Sequence, residues 1–275
     1  MARATIPMHG KVVLITGGYT ALGRALAGGF AKAGADLGLI ARTPEKLEEA
    51  ARDLRALGVR AIPLVADITD EAQVVAAFAK AKRELGRIDV LVNNTGLPGA
   101  IMPVEEMDLR EWNSIIATNL TGAMLCCREA VRQMRTQGGG AIVNIGSTAG
   151  KRGVPFSSAY SASKAGLIAL TQALAQEVGK KGIRANCIMP GRFVTLADPS
   201  RHPTPSGRYN KLSQEQWSAR EKLNLLGATI NAWDMANAAV FLASDESRYI
   251  TAVGLPVDAG LHANVPDLQS LRALG

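Results

Sequence analysis

Seven short aliphatic and β-branched runs, five or six residues each, punctuate the chain at 11–16 (KVVLIT), 36–41 (DLGLIA), 61–66 (AIPLVA), 88–92 (IDVLV), 141–146 (AIVNIG), 184–189 (RANCIM) and 254–258 (GLPVD). They show little polar–apolar alternation, as strands do when both faces are covered. Between them lie longer stretches with helical spacing, near 22–33, 44–57, 70–85, 108–136, 157–179 and 234–243. Asp70 and Ser157 stand where N-caps belong, and Gly34 and Gly58 where helices stop. Strand–helix alternation of this kind predicts an α/β fold with seven parallel strands and helices on both faces of the sheet.

The length of 275 residues and an apolar content of 47% suit one domain, residues 1–275, around a single core. One stretch breaks the rhythm. Residues 192–232 carry Pro199, Pro203, Pro205 and Gly207, with room for one short helix around 213–224. A connection this long, leaving the carboxyl end of a strand where ligands bind in open α/β sheets, is expected to be a substrate lid. A short C-terminal tail follows at 261–275.

The formal charge of +7 arises from basic residues scattered among acidic ones, without a dense run or interleaved aromatics, so nucleic acid is not an expected partner. No apolar run approaches the ~20 residues a membrane helix needs, and KVVLIT ends at glycines after one strand's length, unlike a secretion signal. Cys126, Cys127 and Cys187 are odd in number, two of them adjacent in an apolar helical stretch, which fits small core residues in a reducing, cytoplasmic setting. His9, His202 and His262 are dispersed without ligand-like spacing, so no metal is expected.

The first chemical signal is TGGYTALG at 16–23, between the opening strand and the first helix. Gly17 and Gly23 allow a tight turn and close approach to a pyrophosphate, whose charge free amides and the helix dipole would stabilise. Tyr19, Thr20, Ala21 and Leu22 complete this bed. The turn resembles the TGxxxGxG pattern of the short-chain dehydrogenase/reductase family, in its single-domain, 3-oxoacyl-ACP-reductase-like form. Ala21 stands in place of the middle glycine, bringing an extra methyl to the cofactor bed.

Further segments extend the resemblance over nearly the whole chain. NNTG at 93–96 is similar to the family's NNAG, with Thr95 in place of alanine, and implies that Asn94, Thr95 and Gly96 line the cofactor site. Asp67, with Ile68 beside it, sits where the family contacts the adenine ring. PGRFVT at 190–195 is similar to PGxVxT, placing Pro190, Gly191, Phe193 and Thr195 at the nicotinamide amide. The implied architecture is a Rossmann-type doubly wound sheet, and the implied assembly a homotetramer or homodimer.

Tyr160 and Lys164 in YSASK are four apart, so on a helix they share one face, and a fixed ammonium beside a phenol favours the phenolate. That makes a group with an ordinary pKa of ~10 usable as an acid/base near neutrality. Ser147, thirteen residues before the tyrosine, has the family serine's spacing, and Asn119 in TNLTG matches the family's fourth catalytic residue. The resemblance implies that Ser147 bonds the substrate oxygen and Tyr160 relays the proton. It further implies that Lys164 lowers the tyrosine's pKa and binds ribose hydroxyls, while Asn119 holds a water linking Lys164 to solvent. Read singly, the same residues also suit a solvated helix face, a cap and a helix irregularity.

Cofactor choice turns on the end of the second strand, where Arg42 follows Ala41 and no acidic residue stands, so NADP(H) is expected over NAD(H). Leu97, Met102, Phe193, Tyr209 and Trp217 are candidate substrate-wall residues. Arg192, Arg201, Arg208, Lys211, Arg220 and Lys222, against Asp198, Glu215 and Glu221, suit either an anionic carbonyl or alcohol substrate or a solvated surface. The alternatives are NAD-linked alcohol oxidation and a non-catalytic dinucleotide sensor or scaffold.

Overall fold

The computed structural model describes residues 6–191, 224–228 and 230–263. Its strands are β1 (Val12–Thr16), β2 (Asp36–Ala41), β3 (Ala61–Val65), β4 (Val90–Asn93), β5 (Gly140–Ile145), β6 (Ile183–Pro190) and β7 (Gly254–Val257). They form one sheet in the order β3-β2-β1-β4-β5-β6-β7, and every neighbouring pair is parallel. The chain runs outward from β1 to β3, then returns to lay β4 on the other side of β1. The connections after β1 and β4 therefore lead to helices on opposite faces of the sheet, the topological switch at whose carboxyl edge such sheets bind ligands.

The flanking helices are α1 (Ala21–Lys32), α2 (Pro44–Arg55), α3 (Glu71–Leu85), α4 (Leu109–Ile116), α5 (Gly122–Thr136), α6 (Thr148–Lys151), α7 (Ser158–Val178) and α8 (Ala232–Ala243). Val13 and Ile15 of β1 pack with Leu26 and Phe30 of α1, Leu47 of α2 and Met235 of α8. Val12 and Leu14, pointing the other way, pack with Phe78 of α3, Cys126 and Met134 of α5, and Leu174 of α7. Two cores on one sheet explain why the strand sequences hardly alternate. The three cysteines are buried and unpaired. At the amino edge Asp89, 6% exposed, accepts a bond from the Val12 amide at 2.9 Å and is held by Arg87.

Three local expectations need correction. The helix expected over 108–136 runs without a break from Leu109 to Thr136, but it carries an unexpected π turn at Ala117–Thr121 that offsets α4 from α5 along the same helix. Ser157 occupies the N-cap position of α7, but its side chain makes no capping bond, unlike Asp70, which accepts from the Gln73 amide at 3.1 Å. Helix α8 starts two residues ahead of the expected 234 because Asn231 and Asp234 form a reciprocal capping box. Of the expected lid only 224–228 and 230–232 are described, with the Leu225 amide bonding Ala259 O at 2.9 Å. Of the expected tail, Leu261–Ala263 forms one 3₁₀ turn.

Candidate active site

The turn after β1 is assembled by main chain. Thr20 caps α1, accepting from the Gly23 amide at 3.2 Å and donating to Gly17 O at 2.9 Å. Gly17 has φ +67°, and a β-carbon on Gly23 would lie 2.1 Å from Gly17 O, so a side chain at 23 would break the turn. Ala21, half-buried, is the first residue of α1, and the turn closes with its methyl in place. Tyr19 and Leu22 lie partly buried against the core, with the Lys46 ammonium 5.5 Å from the Tyr19 ring centre.

The turn after β4 is bolted onto this one. The Asn94 and Thr95 amides both donate to the fully buried Thr16 hydroxyl, at 2.9 and 3.0 Å. The Asn94 side-chain amide donates to Thr16 O at 3.0 Å and Gly17 O at 3.3 Å. The Asn94 carboxamide nitrogen is thus spent on holding the glycine turn. Thr16 was visible in the TGG motif, but its role as the shared anchor needs the fold to be seen.

Farther out along the edge, Arg42 follows β2 with a side chain 73% exposed, its guanidinium 3.5 Å from Asp67. Partial burial pushes the Asp67 carboxyl up, but bonds from the Thr69 amide and hydroxyl, together with Arg42, outweigh it and hold the group below the usual carboxylate range. Ile68 is 5% exposed, and both its side chain and its carbonyl lie against Gly122 of α5, so its side chain belongs to the core.

On the other side of the crevice, Ser147 stands two residues past the end of β5 and caps the short α6, accepting from the Ala149 amide at 3.1 Å. That bond uses the hydroxyl as an acceptor, so its hydrogen can still be donated to a substrate oxygen. Helix α6 lies on α7 because residue 150 is glycine: a β-carbon there would sit 2.6 Å from the Lys164 carbonyl carbon. This contact sets the serine's segment against the helix carrying Tyr160 and Lys164. Those two share a face as the spacing predicts, with Lys164 Nζ 5.8 Å from the centre of the Tyr160 ring. The ammonium is buried and donates to Ile145 O at 2.8 Å. Burial pulls its pKa down to about 8, opposed by the nearby Cys187 sulfur, while burial pushes that thiol up to about 11. Below pH 8 the lysine is therefore still a cation.

Asn119 is fully buried in the π turn, an insertion that often marks functional sites. Its Oδ1 accepts from the Leu97 amide at 2.7 Å, and its Nδ2 donates to Leu97 O at 2.9 Å and to Ser163 Oγ at 3.0 Å. Gly96 lies between Asn119 and Lys164, a β-carbon on it falling 3.4 Å from both Oδ1 and Nζ. Ile145 O and Ser163 are site residues that motif matching passes over, one a carbonyl and the other a helical serine of an ordinary kind. Met102, half-buried, donates its amide to Phe156 O at 3.0 Å, and Phe156 itself holds φ +62° and is 58% exposed. At β6 the Pro190 carbonyl accepts from Thr148 Oγ1 at 3.4 Å and the Gly191 amide bonds Val257 O at 3.1 Å. Phe193, Thr195, Tyr209 and Trp217 lie outside the described residues.

Glycine turn, first-turn amides at Ala21 and Leu22 without partners among the described residues, exposed guanidinium and buried lysine share one edge of the sheet, and they fit a dinucleotide laid across it. A family model described as short chain dehydrogenase matches residues 11–205. The chain belongs to the short-chain dehydrogenase/reductase family of NAD(P)-dependent oxidoreductases. It is 35% identical over 253 residues to a cis-4-hydroxycyclohexanecarboxylate dehydrogenase of Sinomonas cyclohexanicum, covering 92% of this chain and 97% of that protein. It is 36% identical over 258 residues to a levodione reductase of Leifsonia aquatica, covering 92% and 94%. Among solved structures, carveol dehydrogenase from Mycobacterium avium in complex with NAD superposes with a TM-score of 0.85 at 30% identity, over 94% of this chain and 100% of that one. No helix among the described residues is long and apolar enough to cross a membrane.

Proposed function

We propose that residues 1–275 form one catalytic domain that interconverts a carbonyl and a secondary alcohol with NADP(H). The observation carrying this reading is the buried Lys164 ammonium 5.8 Å from the Tyr160 ring on the crevice side of α7. The nicotinamide, when bound, supplies or takes up hydride. In the reductive direction Ser147 donates a hydrogen bond to the substrate oxygen, and Tyr160 gives that oxygen its proton as alkoxide charge develops. Lys164 then stabilises the phenolate and offers its remaining N–H bonds to ribose hydroxyls. The Asn119 side chain is committed to Leu97 and Ser163, so the water that the resemblance assigns to this residue falls to its main-chain carbonyl. Gly17, Tyr19 and Thr20 to Gly23 bed the pyrophosphate, Asp67 and the Ile68 main chain meet the adenine, and Thr95, Gly96, Pro190 and Gly191 border the nicotinamide. A cytoplasmic homotetramer or homodimer is part of the same reading.

Arg42 favours NADP(H), since its exposed guanidinium can leave Asp67 for a 2′-phosphate. The second reading, NAD-linked alcohol oxidation, draws on similar structures that hold NAD, the carveol dehydrogenase and a xylitol dehydrogenase. The relatives' names span a hydroxycyclohexanecarboxylate, levodione and D-threitol, so a panel should include cyclic ketones with and without a carboxylate, and polyol-derived ketones. We expect NADPH to be consumed on this panel, followed by absorbance, at lower concentrations than NADH. Faster turnover with NADH reverses the cofactor assignment. Tight dinucleotide binding without turnover on any substrate replaces the enzyme with a sensor.

A further inference from the structure

We propose that Ser163 is a positioning residue that ties the Asn119 carboxamide, already oriented by the Leu97 main chain, to α7, and through it holds the Leu97 segment against the helix bearing Tyr160. Ser163 is fully buried. Its hydroxyl donates to Tyr160 O one turn back along α7, at 2.8 Å. With its hydrogen committed there, the oxygen can only accept, and it accepts from Asn119 Nδ2 at 3.0 Å. The two ends of a carboxamide differ only in chemistry, so Ser163 adds a second acceptor that demands Nδ2, beside Leu97 O, while the Leu97 amide demands Oδ1. Nδ2 is thereby turned toward Ser163 and Leu97 O, and Oδ1 toward the Leu97 amide.

The result is an unbroken chain of bonds from the Leu97 main chain through Asn119 and Ser163 to the main chain of Tyr160. It spans two elements with no covalent proximity: the loop after β4, and α7. Gly96, the residue before Leu97, lies between Asn119 Oδ1 and Lys164 Nζ, so this linkage also sets the spacing around the lysine. A serine bonding back to a carbonyl three residues earlier is common in helices and by itself carries no meaning. The second bond, arriving from a π turn in another element, makes the pattern specific. This inference rests on the reaction proposed above only for its kinetic consequence.

Two measurements separate the linkage from the reaction. In Ser163→Ala the Asn119 carboxamide loses one of the two acceptors that hold Nδ2, so it moves more freely against Leu97, and hydrogen exchange of the Leu97 amide should accelerate roughly tenfold while amides in the middle of α7 are unchanged. That readout holds even if no substrate is found. With a substrate, Ser163→Ala should lower kcat about tenfold with little change in KM, since a displacement of the reacting groups short of 1 Å has that scale of effect. Ser163→Thr, which keeps the hydroxyl, should recover most of both losses. In an Asn119→Ala background, Ser163→Ala should lower kcat no further. Unchanged Leu97 exchange in Ser163→Ala overturns the proposal. So do additive losses in the double variant, or a kcat loss that follows lowered melting temperature equally in the Ala and Thr variants, which would make Ser163 a packing residue alone.

Discussion

The two sides of the crevice are built differently. The glycine turn at 16–23 is made largely of main chain: apart from the Thr16 and Thr20 hydroxyls, the Asn94 carboxamide and the Arg24 guanidinium on Tyr19 O, its geometry depends on atoms that every residue has, and on missing β-carbons. Around Lys164 the geometry depends on particular side chains, with Ser163, Asn119 and the ammonium itself all buried and each bonded to a main-chain group of another segment or turn. The first side should be destroyed by added atoms and indifferent to most other changes. The second should be sensitive to the loss of single polar groups, because a buried partner left unmatched costs more than the bond itself contributed.

The sharpest break on the side-chain half is Tyr160→Phe, which should cost ~10²-fold or more in kcat, the scale of general acid catalysis, with dinucleotide affinity nearly intact. Retained turnover would remove the mechanism. On the main-chain half, Gly23→Ala forces a methyl onto Gly17 O and should weaken dinucleotide binding roughly 10²-fold, read by tryptophan fluorescence or calorimetry. An unchanged Kd there would mean that this turn is not the cofactor bed.

A smaller effect concerns the pH dependence of stability. Lys164 has its pKa lowered to about 8 in the folded chain from an ordinary 10.5. Between those values the unfolded chain holds the proton that the folded one has released, so this group's contribution to stability rises with pH. Relative to Lys164→Met, the cofactor-free wild type should gain on the order of 2 kcal/mol in urea unfolding between pH 8 and 10. A difference that is flat with pH, or falls, would show the ammonium to be better compensated than its burial indicates. The mildest test is Ala21→Gly, which removes the methyl from the bed and should tighten the dinucleotide a few-fold while costing α1 up to ~1 kcal/mol of propensity. Looser binding would show that the methyl is a contact and not an obstruction.

Much of the architecture was legible because its causes are local and repetitive. Each strand is a short apolar run buried on both faces, and the observed ends fall within one or two residues of those expected. The π turn was not legible. Apolar spacing continues through 108–136 on either side of it, and one extra residue in a helical turn leaves no mark in composition. Glycines read well, since a positive φ or a close approach selects them. Buried hydroxyls and carboxamides did not, because Asn94 and Asn119 could be placed in motifs while the partners that consume their hydrogen bonds lie 22 to 78 residues away. Ile68 shows the converse: a motif neighbour whose side chain turns inward.

The extra residue at Ala117–Thr121 also sets the phase between the two halves of this helix. Deleting a single amino acid there would turn the π turn into regular α-helix, rotating the α4 side by about 100° relative to the α5 side. The downstream half is pinned by Cys126, Ala130 and Met134 in the hydrophobic interior, so the upstream half would have to turn, carrying Asn119's anchor point away from Leu97. A one-codon loss could thus uncouple the loop from its helix while leaving the body of the protein standing.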